Sequence, residues 1–309
     1  MANIRNILIM GGGMMGKNIA FIFSSRPDYS ITVYDINKVD IEKDIRANCR
    51  QLLEKGVVTE PEMAERLKRI RFTMDIDDEG IGNADLVIEA VYEDMALKKD
   101  TFAKLEQRCR RECIFCTNTS VMSPTEISSE MRYRDRFCGT HFWNPGHLIP
   151  LVEVVRTEKT SDETINTVME TLKSVGKKPC LCKKDVPGFI GNRMQHALWR
   201  EAISIVENDI ADAATVDEVV KNSFGLRLPQ VAPMENADMV GTELSYQCQE
   251  YILPYLENST VPSPLLSEHL KEGKLGFKSG EGFQKWTKEE VDERCDALNE
   301  YLIRMLYGK

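Results

Sequence analysis

The sequence predicts an α/β fold, a doubly wound and mostly parallel sheet followed by an all-α C-terminal domain. Three observations predict it. Short apolar runs alternate with stretches of helical spacing up to about residue 185. The first of those runs ends in a glycine turn that opens a helix, Gly11-Gly12-Gly13-Met14-Met15-Gly16. After Asp185-Val186-Pro187-Gly188 the strands stop and helix follows helix. A boundary near Val186 divides the chain into 1–185 and 186–309, with no internal repeat and no low-complexity segment.

The elements follow in order. Ile7–Met10 reads as the first strand, Met14–Ser25 as its helix and Ile31–Tyr34 as the second strand. Asp40–Ile70 has helical spacing, broken at Gly56 and restarted at Thr59, whose hydroxyl can cap a helix carrying Pro61 in its first turn. Asp85–Ala90, Ile114–Thr117, Phe137–Thr140 and Leu151–Val155 are further strands, Ser161–Val175 is a helix ended by Gly176, and Pro179–Lys183 is a last strand. Beyond the boundary, Phe189–Glu207 is helical. A capping box opens a helix at Thr215, Thr242–Glu257 is another, a short one starts at Ser263-Pro264, and the last begins at the box Thr287-Lys288-Glu289-Glu290.

A chain of 309 residues has room for two domains, and 42% hydrophobic with 29% charged residues is ordinary for a globular protein. The net charge of −9 argues against nucleic acid or an anionic membrane as partner. Met1–Asn6 leads into an apolar run too short for a secretion signal, and no run reaches the ~18 apolar residues of a membrane span, so a cytoplasmic protein is expected. Of nine cysteines, Cys113 and Cys116 form a C-x-x-C inside a strand, where positions three apart face opposite sides. Cys180 and Cys182 share a face without a completing ligand pair. All nine are expected to be small core residues in a reducing compartment, and no metal site is expected.

The glycine turn is a G-x-G-x-x-G in a strand–turn–helix context, which is the dinucleotide fingerprint of a Rossmann-type domain. Gly11, Gly13, Met14, Met15 and Gly16 are therefore cofactor-binding candidates, with the helix N-terminus offering N–H groups to a pyrophosphate. Asp35 ends the second strand 19 residues past Gly16, where a carboxylate accepts from an adenosine ribose. It would repel a 2′-phosphate, and Ile36-Asn37 supplies no arginine, so NAD is expected over NADP. Farther on, His141 closes a strand in Gly139-Thr140-His141-Phe142-Trp143-Asn144-Pro145, and Glu153 stands among aliphatics in Leu151–Val155. A charge there is costly unless paired, and an imidazole is the residue type that makes it useful: a base and its orienter.

These residues resemble the L-3-hydroxyacyl-CoA dehydrogenases. The resemblance rests on the glycine turn, Ala84–Asp94, Asn118-Thr119-Ser120, His141–Pro145 with Leu151–Val154, Asp185–Arg193 and Lys278–Phe283. It implies NAD-dependent oxidation of a (short-chain) 3-hydroxyacyl-CoA to the 3-oxoacyl-CoA, a role in fatty acid metabolism, and a homodimer held by the helical domain. It implies His141 as general base, Glu153 as its orienter, and Ser120 and Asn192 as hydrogen-bonding partners of substrate. Glu93, Lys98, Ser120 and Lys278 match cofactor contacts of the family. Ser120 would serve equally as a turn cap, Asn192 as a structural helix-start residue, and Lys98 and Lys278 as solvated cations.

The likeness thins in two places. Residues 36–48 are shorter than the family's coenzyme A segment and contain no serine, leaving Lys38, Lys43 and Arg46 as cations there. Gly146-His147-Leu148-Ile149-Pro150 is similar to relatives that oxidise free 3-hydroxy compounds, which makes a free hydroxy acid or small alcohol the alternative substrate. His147 would face substrate or sit in an exposed turn, and Arg227 would be a carboxylate clamp. A third reading is a non-catalytic NAD-binding protein, as some crystallins related to the family are.

Overall fold

The computed structural model describes residues 4–309, so the reading of Met1–Asn6 lies partly outside it. Eight strands form one sheet: β1 (Asn6–Met10), β2 (Ser30–Tyr34), β3 (Ile70–Thr73), β4 (Leu86–Glu89), β5 (Ile114–Thr117), β6 (Phe137–Phe142), β7 (Leu151–Val155) and β8 (Lys178–Cys182). Their order is β3-β2-β1-β4-β5-β6-β7-β8. Neighbours are parallel except β6 and β7. Strand side chains alternate faces, and the sequence is apolar on both. Ile7, Ile9, Leu86 and Ile88 enter one buried cluster, while Leu8, Met10 and Val87 enter another. A sheet apolar on both faces must be covered on both, which the helices between the strands do.

Chain order reverses between β1 and β4, so the crossovers on either side diverge and leave a crevice at the carboxyl ends of these strands. The antiparallel β7 has a separate effect. It puts the start of β7 and β8 at the same edge as the end of β6, so His141 and Glu153 become cross-strand partners.

Several expectations need correction. Ile70 does not end a helical run; the run divides into Ile41–Asn48, Arg50–Glu54 and Glu60–Leu67, and Ile70 opens β3. Four residues at a sheet edge are too few to display a period of two. His141 lies inside β6, which extends to Phe142, rather than at its end. The helix expected at Thr215 begins earlier, at Ala213, because the Asp212 side chain takes the Thr215 N–H at 2.7 Å. The box expected at Thr287 is present as read, with Thr287 N–H donating to Glu290 at 2.7 Å and Glu290 N–H to Thr287 at 3.2 Å.

Contacts divide the chain into two compact units that differ from a simple break at 186. One runs through Arg193 and takes in Ala297–Lys309; the other is Met194–Asp296. The reason is apolar. Ile303, 1% exposed, belongs to the core of the sheet-bearing unit, where Glu300 also pairs with Lys55 at 2.9 Å. No helix of the described residues is long and apolar enough to cross a membrane.

Candidate functional site

The glycine turn joins β1 to the helix Met14–Phe23 at the carboxyl edge of the sheet. Gly11 has φ +111°, and a Cβ there would lie 2.6 Å from the Ala90 carbonyl oxygen; a Cβ on Gly16 would lie 1.8 Å from that of Gly11. The fold itself demands these two glycines. Gly13 is different, since a Cβ there meets no protein atom within 4 Å. Its smallness serves whatever approaches the turn, and the free N–H groups of the helix start fit a pyrophosphate there. Asp35 stands across the turn. One carboxylate oxygen takes the Gly12 N–H at 2.8 Å and the other the Asn37 N–H at 2.8 Å. Each retains a lone pair for a ribose hydroxyl.

Exposed apolar side chains mark the same edge. Met14, Ile36, Met74, Tyr92 and Val121 are exposed, and each directly follows or closely trails the carboxyl end of a strand or the glycine turn. Apolar side chains set around one sheet edge suit the flat faces of an adenine and a nicotinamide.

The next layer is a chain of charges. Glu89, the last residue of β4, is fully buried, and so is Lys98, whose ammonium donates to Glu89 at 2.7 Å. Glu89 also takes the Thr117 hydroxyl at 2.6 Å and the Val91 N–H at 2.8 Å. Burial pushes the Glu89 pKa up against these opposing partners. Lys98 further contacts Glu93 at 3.2 Å and the Val91 carbonyl at 3.5 Å. Three oxygens thus surround its three protons, and Lys98 is not the solvated cation that was one reading of it. Glu93 takes the Thr119 hydroxyl and, at 3.1 Å, the Ser120 N–H. Burial raises its pKa, but these bonds and the Lys98 charge outweigh that, so the net shift is down. Asn192 donates to the Ser120 carbonyl at 2.9 Å. The two residues therefore meet through the Ser120 backbone, leaving its hydroxyl exposed.

Beside this chain is the imidazole–carboxylate pair. His141 Nδ1 lies 2.9 Å from Glu153, with both side chains buried. The same oxygen takes the Trp143 indole N–H at 3.2 Å, and the other takes the Ile190 and Gly191 N–H groups at 2.9 Å each. Desolvation raises the Glu153 pKa, but His141 and the two backbone donors overcome it, so the carboxyl is held below its ordinary value. The helix Gly191–Glu207 starts at this oxygen and adds its dipole. The preceding turn makes this possible, with Gly188 at φ +75° and Phe189 at +52°. A left-handed non-glycine residue is a strained position, and here it aims two N–H groups at one carboxylate. A Cβ on Gly191 would lie 2.4 Å from the Trp143 ring, so that glycine admits the indole. With Nδ1–H committed to Glu153, Nε2 is the basic nitrogen of His141.

His141, Glu153, Ser120, Asn192, Glu93 and Lys98 thus gather at one sheet edge, with Gly191-Asn192 joining the two networks. Trp143, Glu89 and Phe189 were missed as participants. Trp143 was at least legible as an aromatic two residues from the imidazole. Lys278 and Arg227 lie in the unit Met194–Asp296 and are exposed. His147 is not in an exposed turn; it is largely buried, with Nδ1 lacking a partner among the described residues. Not all cysteines are core residues: Cys180, Cys248 and Cys295 are exposed, since the edge strand β8 and two helix faces meet solvent there. No three His, Cys, Asp or Glu of the described residues are grouped to hold a metal ion.

Comparison with known proteins shows the family. Residues 6–186 match the 3-hydroxyacyl-CoA dehydrogenase NAD-binding domain and residues 188–286 the C-terminal domain of the same family. The chain is 32% identical to the 5-formyl-3-hydroxy-2-methylpyridine 4-carboxylate 5-dehydrogenase of Mesorhizobium japonicum over 93% of both chains. It is 35% identical to a probable 3-hydroxybutyryl-CoA dehydrogenase of Deinococcus radiodurans over 90% of this chain and 99% of the relative. A solved 5-formyl-3-hydroxy-2-methylpyridine 4-carboxylic acid 5-dehydrogenase superposes with a TM-score of 0.89, at 31% identity, covering 99% of this chain and all of that one. The chain belongs to the 3-hydroxyacyl-CoA dehydrogenase family and is an NAD-dependent oxidoreductase.

Proposed function

We propose that the chain oxidises the 3-hydroxy group of a short-chain 3-hydroxyacyl-CoA, with His141 as general base and Glu153 as its orienter. One observation carries the reading: a buried imidazole bonded to a carboxylate that three further N–H donors fix in place. Bound NAD supplies the hydride acceptor. His141 Nε2 takes the hydroxyl proton, and the positive charge that develops on the ring is met by Glu153 2.9 Å away. Because Glu153 stays ionised through its backbone donors, it stabilises the imidazolium without taking the proton. Asn192 and the Ser120 hydroxyl, at the junction of the two networks, would hold the substrate oxygen, and Glu93 would bind cofactor, held in place by the buried Lys98 at 3.2 Å.

A specific observation favours the alternative of a small free hydroxy compound. Among residues 36–48 the cations Lys38, Lys43 and Arg46 are balanced by Asp40, Glu42 and Asp44, and Arg46 is held by Glu42 at 3.1 Å and Glu60 at 2.8 Å. Such a segment has little net attraction for the phosphates of coenzyme A. Assay of 3-hydroxybutyryl-CoA beside free 3-hydroxy acids and a hydroxymethylpyridine carboxylate, following NADH absorbance, decides. Turnover of the thioester is expected; turnover of free compounds alone sinks the coenzyme A reading and leaves the base intact. The reading includes a homodimer formed through the helical unit.

A further inference from the structure

We infer that Lys177 is a positioning residue for this site: its buried ammonium ties the connection between β6 and β7 in place, and with it the His141–Glu153 pair. Lys177 precedes β8 and is 7% exposed. Its ammonium donates to the carbonyls of Gly146 at 2.6 Å and Ile149 at 2.7 Å. Both acceptors are uncharged, which is an expensive setting for a buried cation and one that surface chemistry does not require. The two carbonyls belong to the connection that carries Trp143, a donor to Glu153, and leads straight into β7. The register of β6 against β7 puts this connection at the same sheet edge as the glycine turn. There a Cβ on Gly146 would lie 3.2 Å from Asn18 and 3.4 Å from Met15, so the connection rests on the cofactor helix Met14–Phe23. Lys177 therefore clamps one loop that touches both halves of the machinery.

The titratable group facing the ammonium is His147 of the same connection, whose pKa is lowered to about 4 by burial and by the Lys177 charge. Other cations of the surrounding helices are paired elsewhere, Lys17 with Asp44 and Lys173 with Glu170. Burial lowers the Lys177 pKa from 10.5 to about 8. An opened connection returns the amine to water and its ordinary value, so between pH 8 and 10.5 opening must take up a proton. Raising the pH through this window tightens the loop, by up to about tenfold per pH unit.

The experiment compares wild type with Lys177→Met and Lys177→Arg, using NADH as the probe, so it does not depend on the substrate reading. NADH affinity is followed by fluorescence at pH 7 to 9.5. Hydrogen exchange of the segment holding Leu148 and Ile149, whose N–H groups both bond Pro145, is corrected for its intrinsic rate. In wild type, protection is expected to rise with pH above 8. In Lys177→Met it is expected to be flat, with NADH bound about fivefold or more weakly at pH 7 and a melting temperature that does not fall in step, since a buried charge has been removed. Lys177→Arg, keeping the charge, should recover part of the affinity. NADH affinity in folded Lys177→Met within twofold of wild type overturns the inference. Should that variant fail to fold, wild type alone decides: protection independent of pH between 8 and 9.5 overturns it, and the expected rise supports it.

Discussion

At the scale of single residues, two side chains carry the proposed chemistry and make different demands on a mutation. His141→Gln keeps the shape and a hydrogen-bonding amide but cannot accept and carry a proton. Turnover should fall by about three orders of magnitude or more, while NADH affinity stays within about twofold of wild type. Unchanged turnover would remove His141 as the base. Glu153→Gln is subtler. Four donors converge on this carboxylate, and an amide must turn its own N–H₂ toward some of them. Turnover should drop by about two to four orders of magnitude, with the imidazole free to adopt the wrong tautomer. Stability responds to pH as well. The folded Glu153 pKa lies below its ordinary 4.5, so its contribution is complete above pH 4.5 and is lost as pH falls through the lowered value. The gap in melting temperature between wild type and Glu153→Gln should therefore be widest near neutrality and shrink in acid. A gap that grows on acidification would contradict an ionised, donor-bound carboxylate.

At the scale of elements, the glycine turn separates what the fold needs from what the ligand needs. Gly16→Ala places a carbon against the Gly11 carbonyl, so strand and helix must part, and stability should fall by about 3 kcal/mol. Gly13→Ala meets open space at φ −69°, a backbone any residue adopts, so stability should hold or rise by up to about 1 kcal/mol. Its NADH affinity should nonetheless fall about tenfold or more. Equal effects of the two substitutions on thermal melts and NADH titrations would mean that the turn is merely structural. This turn was readable because glycine spacing and strand–helix context are local. The pairing of His141 with Glu153 was only half readable: a charge among aliphatics announces a partner, but the antiparallel register that supplies it is a property of the sheet. The edge strand at Ile70 and the left-handed Phe189 were not readable at all. One is four residues long, and the other is an aromatic held in a glycine-like conformation by the contacts around it. Lys98 shows the same limit from the other side, since a lysine in a helix looks solvated until three oxygens from the end of β4 and the loop after it close on it.

At the scale of the molecule, the two units differ in kind. The sheet-bearing unit has a core on both faces, but among the described residues none of Met194–Asp296 is buried. A helical unit without buried apolar side chains cannot offset the entropy of ordering its chain. Its exposed apolar residues are not scattered. Along the helix Thr242–Ile252, Leu244, Cys248, Tyr251 and Ile252 fall at spacings of three and four and, with Gln247, line one apolar depression. In the proposed homodimer a second copy would bring the same stripe, and a two-fold axis would pair each stripe with its equivalent, closing the assembly without leaving a free surface. Covering a whole unit in this way calls for an obligate interface of roughly 2,000 Å² or more. Light scattering should then give twice the chain mass at micromolar concentration, and the melting temperature should rise with concentration. Tyr251→Glu paired with Ile252→Glu should shift the mass toward the monomer and lower the melting temperature together. A wild-type monomer with a concentration-independent melt would show that this unit is stabilised in some other way, and the two-fold assembly would be abandoned.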